Sequence, residues 1–386
     1  MSVERILTTH AGSLPRPKRL TELHALRARG EAVDALEFAR EVDAAVEDVV
    51  ARQAEAGIDV ANDGEAPRES FFTFIRERIS GFGGRSERAS MADMTAYPGF
   101  LEMLGKMYPA GASVSLMSAP KAVGPIAHQG TTQVEAEVRR LTDAVRRAGN
   151  PFAATFLTSP SPGIVASAMQ NGYYASLADY VAAVAEALTP EYQAILAGGC
   201  QLQIDAPDLA MERHTLFARR PLSDFLDFVR VVVAAINRSL EGATKEQVRL
   251  HVCWGNYEGP HDLDVPLQDI WPEVAKVNAG SFLISMANPR HAHEVRCFEA
   301  GALPAGATLI AGVIDTTTNY VEHPEVVAMR LAAAAEAVGD PARVMGGTDC
   351  GFETSAGFQS VAADVCWAKL KSLSDGARIA SQRLFG

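Results

Sequence analysis

A histidine and a cysteine stand two positions apart in HVCWGN, residues 251–256, and a second cysteine, Cys350, sits in the turn GTDCGF near the other end of the chain. Imidazole and thiolate are ligands of borderline-soft cations, so His251, Cys253 and Cys350 together would suit zinc better than magnesium or calcium. Three protein ligands would leave one coordination position open, as catalytic zinc sites do. The plainer alternative makes His251 a hydrogen-bonded core histidine and both cysteines small buried apolar residues. Spacing alone leaves both readings open. Five cysteines in 386 residues form neither a dense framework nor an even set, which argues against disulfides.

Such residues need strands to aim them. Apolar runs of four to seven residues alternate with longer helical patterns, the signature of βα units and a parallel sheet. Strands are expected near 5–9, 58–62, 152–157, 201–205, 248–253, 281–286, 308–314 and 343–348. Helices are expected at 34–56, 176–197, 221–240, 324–338 and 357–383. In the third of these, Leu222, Phe225, Leu226, Val229, Val233, Ile236 and Leu240 step by three and four and lay one apolar stripe toward a sheet. Eight such units favour a closed (β/α)8 TIM barrel over an open doubly wound sheet, and no glycine fingerprint of a dinucleotide site follows the first strand. Residues 66 to about 150 exceed one βα unit. With the β-like SVSLMSAP (113–120) and a charged helix near 131–148, they read as an elaboration inserted after the second strand of a single domain spanning 1–386.

In a barrel of this kind the C-terminal strand ends build the active site. They carry His10 and Ser13, Asp63 and Glu65, Asp205, His251 and Cys253, Asp315, then Asp349 and Cys350. On an extended strand residues two apart share a face, so His251 and Cys253 both aim into the mouth. His10 and Asp315 stand as candidate catalytic side chains. The alternatives are a structural role for His10 and, for Asp315, support of neighbouring groups.

The net charge of −12, from 47 acidic against 35 basic side chains, comes without a basic stripe, so nucleic acid and anionic membranes are poor partners. The N-terminus has no signal-like apolar core and no stretch reaches 18 apolar residues, which points to the cytoplasm. Small molecules are the expected partners, and the oligomeric state stays open, a homo-oligomer included.

Seven segments in order, TTHAGSLPRP, GIDVANDGE, LQIDAPDLA, HVCWGN, ANPRHAHE, GVIDTTTNYVEHPE and GTDCGF, span nearly the whole chain. Together they resemble the catalytic barrel of the cobalamin-independent methionine synthase family, most closely its short single-barrel bacterial members. The resemblance implies Zn2+-dependent transfer of an alkyl group, typically methyl, to a thiol such as homocysteine, and so a place in methionine biosynthesis. It carries three zinc ligands over to His251, Cys253 and Cys350. The fourth, a glutamate in the family, falls on Ser285, where SMANPR stands for EAANPR or EFANPR. The resemblance also places Glu65 and Asp205 at the amino group of homocysteine and Ser13 near its carboxylate.

Departures from the pattern bear on the donor. Thr316 and Thr317 follow Asp315 where the family has a histidine for proton delivery, and SPSPGIVASAMQNGYY lacks the tryptophan on which a folate pterin would rest. Folate is thus a doubtful methyl donor. With Ser285, three protein ligands plus water or substrate thiol is one arrangement, and recruitment of His291 or Glu294 another. Two other functions compete: a thiol transferase opening an epoxide or other small electrophile, like the epoxyalkane:coenzyme M transferases, and a metal-free binding protein or decarboxylase-like barrel.

Overall fold

The computed structural model describes residues 5–88, 90–107 and 119–386. Among them run ten strands: β1 (Leu7–Thr8), β2 (Val60–Ala61), β3 (Ile79–Gly83), β4 (Lys121–His128), β5 (Ala154–Pro160), β6 (Gln201–Asp205), β7 (Val248–Val252), β8 (Ser281–Ser285), β9 (Thr308–Ile314) and β10 (Val344–Thr348). Eight form one sheet in the order β1-β10-β9-β8-β7-β6-β5-β2, paired in parallel throughout. Helices connect them, so the architecture is the expected (β/α)8 barrel.

The seam between β1 and β2 closes without a regular ladder. Asp59 N–H donates to the Thr8 carbonyl at 3.0 Å, and the Thr9 hydroxyl donates to the Val60 carbonyl at 2.8 Å. From the helix Ala35–Ala56, the Gln53 side chain accepts from Asn62 N–H at 3.0 Å and donates to its carbonyl at 2.8 Å. Side chains therefore replace ladder partners here, which makes both strands shorter than their apolar runs predict.

The helices lie where the periodicity places them, at Ala35–Ala56, Leu177–Ala197, Leu222–Ser239, Pro324–Val338 and Ala363–Leu384. In Leu222–Ser239 the buried stripe is centred on Phe225, Phe228, Val229, Val232, Val233 and Ile236, slightly rotated from the predicted face. The barrel interior is partly polar. Gln203 and Arg249 are register partners, and the buried Arg249 guanidinium lies over the Phe156 ring at 3.8 Å while donating to Thr9 Oγ1 and the His10 carbonyl. Burial brings this guanidinium down to about 9. Two residues further toward the C-terminal end, Asp205 and His251 are partners in turn.

Between β2 and β5 the chain builds an antiparallel hairpin of β3 with β4 and two helices, Ala92–Thr95 and Pro98–Met107, before the crossover helix Thr132–Arg147. Most of the β-like 113–120 falls outside the described residues. Buried ion pairs from Arg68 and Arg78 to Glu137, and from Arg78 to Glu191, tie the crossover helix to the barrel. Asp93 accepts from the Tyr257 hydroxyl and from His261 N–H (3.1 Å), and Tyr97 donates to Asp262 at 2.6 Å. The inserted helices thereby fix the loop that follows β7.

Candidate metal centre and substrate site

Three side chains from two strand ends converge at the barrel mouth. The imidazole of His251 and the sulfurs of Cys253 and Cys350 offer ligand atoms all within 4.8 Å of one another, and the two sulfurs are 4.0 Å apart. All three residues are buried. His251 Nδ1 lies 3.0 Å from Asp205 Oδ1, which orients the ring, and Nε2 lies 3.3 Å from the Asp349 carbonyl.

The charges suit a cation. The neighbouring Cys350 thiol, working against burial and aided by His251, holds the Cys253 thiol well below its usual range. Cys350 is pushed up by the Cys253 sulfur and by burial. Burial pulls His251 down, yet Cys253 and Asp205 outweigh it and hold the imidazole at about 10. A thiolate, a thiol and an imidazolium thus crowd one small volume, and a borderline-soft dication would replace their protons. The donor set fits zinc.

Ser285, at the end of β8, lines the same cavity of about 30 Å³ as Cys253 and Cys350, together with Asp315, His261 and His291. Its hydroxyl donates to the Asp349 carbonyl at 2.7 Å. The two alternative ligands are engaged elsewhere. Glu294 Oε1 accepts from Leu267 N–H at 3.1 Å, and His291 Nε2 lies 2.8 Å from Asp264 Oδ2. A larger cleft of about 290 Å³, lined by His24, Arg68 and Glu137 among others, lies away from the strand ends, where its buried Arg68 and Glu137 pair with each other.

Glu65 and Asp205 approach each other beside the metal centre. Burial, reinforced by the charge of Asp205, pushes the Glu65 carboxyl up to about 7. Its Oε1 accepts from the Thr158 hydroxyl at 2.9 Å, while Oε2 is buried without a partner, as are Asp63 Oδ2 and Gln203 Oε1. The Glu65 backbone is left-handed at φ 57°, held by Asp63 Oδ1 on its N–H (2.9 Å) and by Arg16 on its carbonyl (3.0 Å). Gly12 presses on this carboxylate: with φ at 138°, a Cβ there would lie 2.6 Å from Glu65 Oε1. Ser13 packs against Gly351, where a Cβ would meet Ser13 Oγ at 2.0 Å, so the residue after Cys350 must be glycine.

Asp315 lies on the cavity wall, where its Oδ1 accepts from the N–H and hydroxyl groups of Thr317 and Thr318 and so builds the turn. Asp349 does the same for the loop after β8, its carboxylate accepting from Met286, Ala287 and Asn288 N–H groups. His10 is not brought to the cavity. Its Nε2 bonds Gln53 Oε1 at 2.7 Å and its Nδ1 accepts from Gly12 N–H at 3.2 Å, and burial lowers it to about 4. Both ring nitrogens are engaged, so the structure gives His10 a packing position on the seam.

Sequence reasoning passed over His214, His261 and Asp264, which gather beside His291. The run GPHDLDVP offers a signal in its histidine and aspartate three apart, but it reads as an ordinary polar loop.

Asp205 touches both halves of the site, which makes its substitution informative. Asp205→Asn removes the carboxylate that orients His251, and losing such an outer partner weakens metal binding about 10- to 100-fold. Competition with a chromophoric chelator measures this.

A parallel eight-stranded barrel whose C-terminal rim gathers an imidazole and two thiols defines a class of barrel proteins able to hold a cation beside a substrate pocket. The chain belongs to the cobalamin-independent synthase, catalytic domain, family, whose profile matches residues 6–99 and 115–368. It is 24% identical over 382 residues to a methionine synthase of Sulfurisphaera tokodaii, covering 98% of this chain and 93% of that protein. A methionine synthase of Sulfolobus acidocaldarius is 26% identical over 349 residues, covering 90% and 85%. Among solved structures, the B12-independent methionine synthase of a Shewanella species in complex with selenomethionine superposes with a TM-score of 0.73 at 22% identity, covering 98% of this chain and 99% of the other. A putative vitamin-B12-independent methionine synthase of Listeria monocytogenes gives a TM-score of 0.64 at 19% identity, covering 97% and 98%. Among the described residues, no helix is long and apolar enough to cross a membrane.

Proposed function

We propose that the protein is a zinc-dependent S-alkyltransferase that methylates homocysteine or a closely related amino-thiol. The observation that carries this reading is the convergence of His251, Cys253 and Cys350 within 4.8 Å at a strand-end cavity, one hydrogen bond from the Asp205 carboxylate. Family membership and the methionine synthases it resembles support the methyl group and homocysteine.

His251 Nε2 and the sulfurs of Cys253 and Cys350 would hold the zinc, with Asp205 fixing the imidazole. Bound there, zinc supplies a Lewis acid that makes a thiol, ordinarily only a few per cent ionised at neutral pH, a ready nucleophile. The carboxylates of Glu65 and Asp205 take the ammonium of the amino-thiol, for which the unpartnered Glu65 Oε2 is an available acceptor. Asp349 and Asp315 hold the two loops that wall the cavity, so the sulfur and the incoming carbon meet in a fixed geometry. Ser285 leaves the site without the third negative charge that a glutamate would add to the two thiolates, which favours a more acidic bound thiol.

No arginine or lysine lines this cavity among the described residues, whereas a sulfonate-bearing acceptor such as coenzyme M needs a cation. The test pairs zinc-loaded protein with homocysteine and a panel of methyl donors, reading methionine by mass spectrometry. Methionine formation is expected, with zinc held by the His251, Cys253 and Cys350 group. Alkylation of 2-mercaptoethanesulfonate by an epoxide, with no turnover of homocysteine, would establish the competing thiol transferase instead.

A further inference from the structure

Beside the thiol-rich centre, a second group of metal-type ligands surrounds one carboxylate. Asp264 Oδ2 lies 2.8 Å from His261 Nδ1 and 2.8 Å from His291 Nε2, and its Oδ1 lies 2.9 Å from His214 Nδ1. All four side chains are almost wholly buried, with 1% to 6% of their surface exposed. We propose that His261, Asp264 and His291 form a second cation site, for a divalent first-row transition ion, with His214 behind the carboxylate as its support.

Hydrogen bookkeeping is the first argument. His261 Nε2 lies 3.0 Å from the Tyr257 carbonyl, which only accepts, so that nitrogen carries the hydrogen. In the neutral ring Nδ1 is then a lone pair facing a carboxylate oxygen, acceptor against acceptor. A cation between them resolves the conflict by bonding both. The alternative is a second proton on His261.

Unpartnered atoms supply the second argument. His214 Nδ1 and Nε2, His291 Nδ1 and Asp264 Oδ1 are buried without a hydrogen bond, the His214 contact being close in distance but not in hydrogen-bond geometry. Buried polar atoms seldom stay unsatisfied, and Asp264 Oδ1, with His214 Nδ1 2.9 Å away, is the one an ion on this carboxylate would satisfy, whereas His291 Nδ1 faces Glu294 at 3.9 Å.

The rings are also held in place. Trp254 stacks on His291 at 3.8 Å and Tyr257 on His261 at 4.1 Å, while the His261 backbone is kept left-handed at φ 52° with Asp93 on its N–H and Arg290 on its carbonyl. Ligand atoms of His261, Asp264 and His291 all fall within 4.8 Å of one another. Two imidazoles and a carboxylate suit zinc, cobalt, nickel or ferrous iron and leave positions open. Because His261 and His291 line the cavity that Cys253 and Cys350 also line, an open position would face the reacting groups.

Cobalt(II) titration of the full chain tests this with a readout independent of turnover. Thiolate-bound cobalt shows an intense sulfur-to-metal charge-transfer band, and cobalt on nitrogen and oxygen alone does not. About two cobalt ions per chain are expected, with one kept, without the band, in a Cys253→Ser/Cys350→Ser double variant. Asp264→Asn is expected to weaken that second ion about 100-fold while the band of the first survives. A single cobalt in the wild type, absent from the double variant, would overturn the second site and leave the thiol-rich one standing. Two ions unaffected by Asp264→Asn would overturn it as well. One cobalt lacking the band, and lost in Asp264→Asn, would support the second site while removing the first.

Discussion

A Cys253→Ser chain is expected to lose the zinc of its thiol-rich centre and its alkyl transfer together. Structural zinc sites bind with about 10–16 kcal/mol over four ligands, which is roughly 3–4 kcal/mol each, so losing one ligand costs on the order of 10²- to 10³-fold in affinity. The effect falls at the upper end here, because Cys253 is the sulfur whose negative charge the Cys350 thiol and His251 favour. A serine hydroxyl carries no such charge at neutral pH, and His251 loses a neighbour that holds its imidazole up. Elemental analysis after dialysis against a chelator, followed by turnover with zinc restored, measures both losses. A variant that keeps its zinc and full activity would remove the proposed centre. Cys297→Ser, at a half-buried cysteine outside the site, should leave the metal content unchanged.

Glu65→Gln separates recognition of the amine from the chemistry at sulfur. Leaving one partner of a buried charged contact unpaired costs about 3 kcal/mol, so KM for homocysteine should rise roughly 100-fold. The deamino analogue 4-mercaptobutanoate, which brings no ammonium, should change by no more than about twofold. The sign of the pH dependence follows from the raised Glu65 carboxyl. Below about 7 the empty site holds a proton on Glu65, and binding an ammonium must release it. KM for homocysteine should therefore climb as pH falls below neutrality, by up to about tenfold per unit, and Glu65→Gln should flatten that limb. Equal loss for both thiols would sink the amine assignment.

The barrel was legible because parallel strands buried on both faces read as short apolar runs. TLIAGVI in β9 is such a run, buried along all but its first residue. The hairpin of β3 with β4 was not, since ISGFG and KAVGPIAH carry glycines and a proline that hide strand propensity. Its position is set by tertiary contacts, such as Ala122 N–H on the Gln170 carbonyl. Among the residues that converge at the cavity, the His251–Cys253 pair was legible through strand alternation, and Cys350 through its place at a strand end. His10 stands apart from the cavity, bonded to Gln53. A strand-end position does not reveal that a glutamine from the first long crossover helix will claim the ring. His214 and His291 come from loops separate from the one that carries His261 and Asp264, and no local period links residues that only packing brings together.

Ser285 is bonded into the wall of the cavity. Its hydroxyl satisfies the buried Asp349 carbonyl, which also lies 3.3 Å from His251 Nε2. Reinstating the glutamate of the resembled family would strip that donor from the carbonyl and set another negative charge among Asp349, Asp315 and two sulfurs. The cavity wall is thus fitted to a small hydroxyl at this position, and a longer acidic side chain would have to displace an existing bond to enter it.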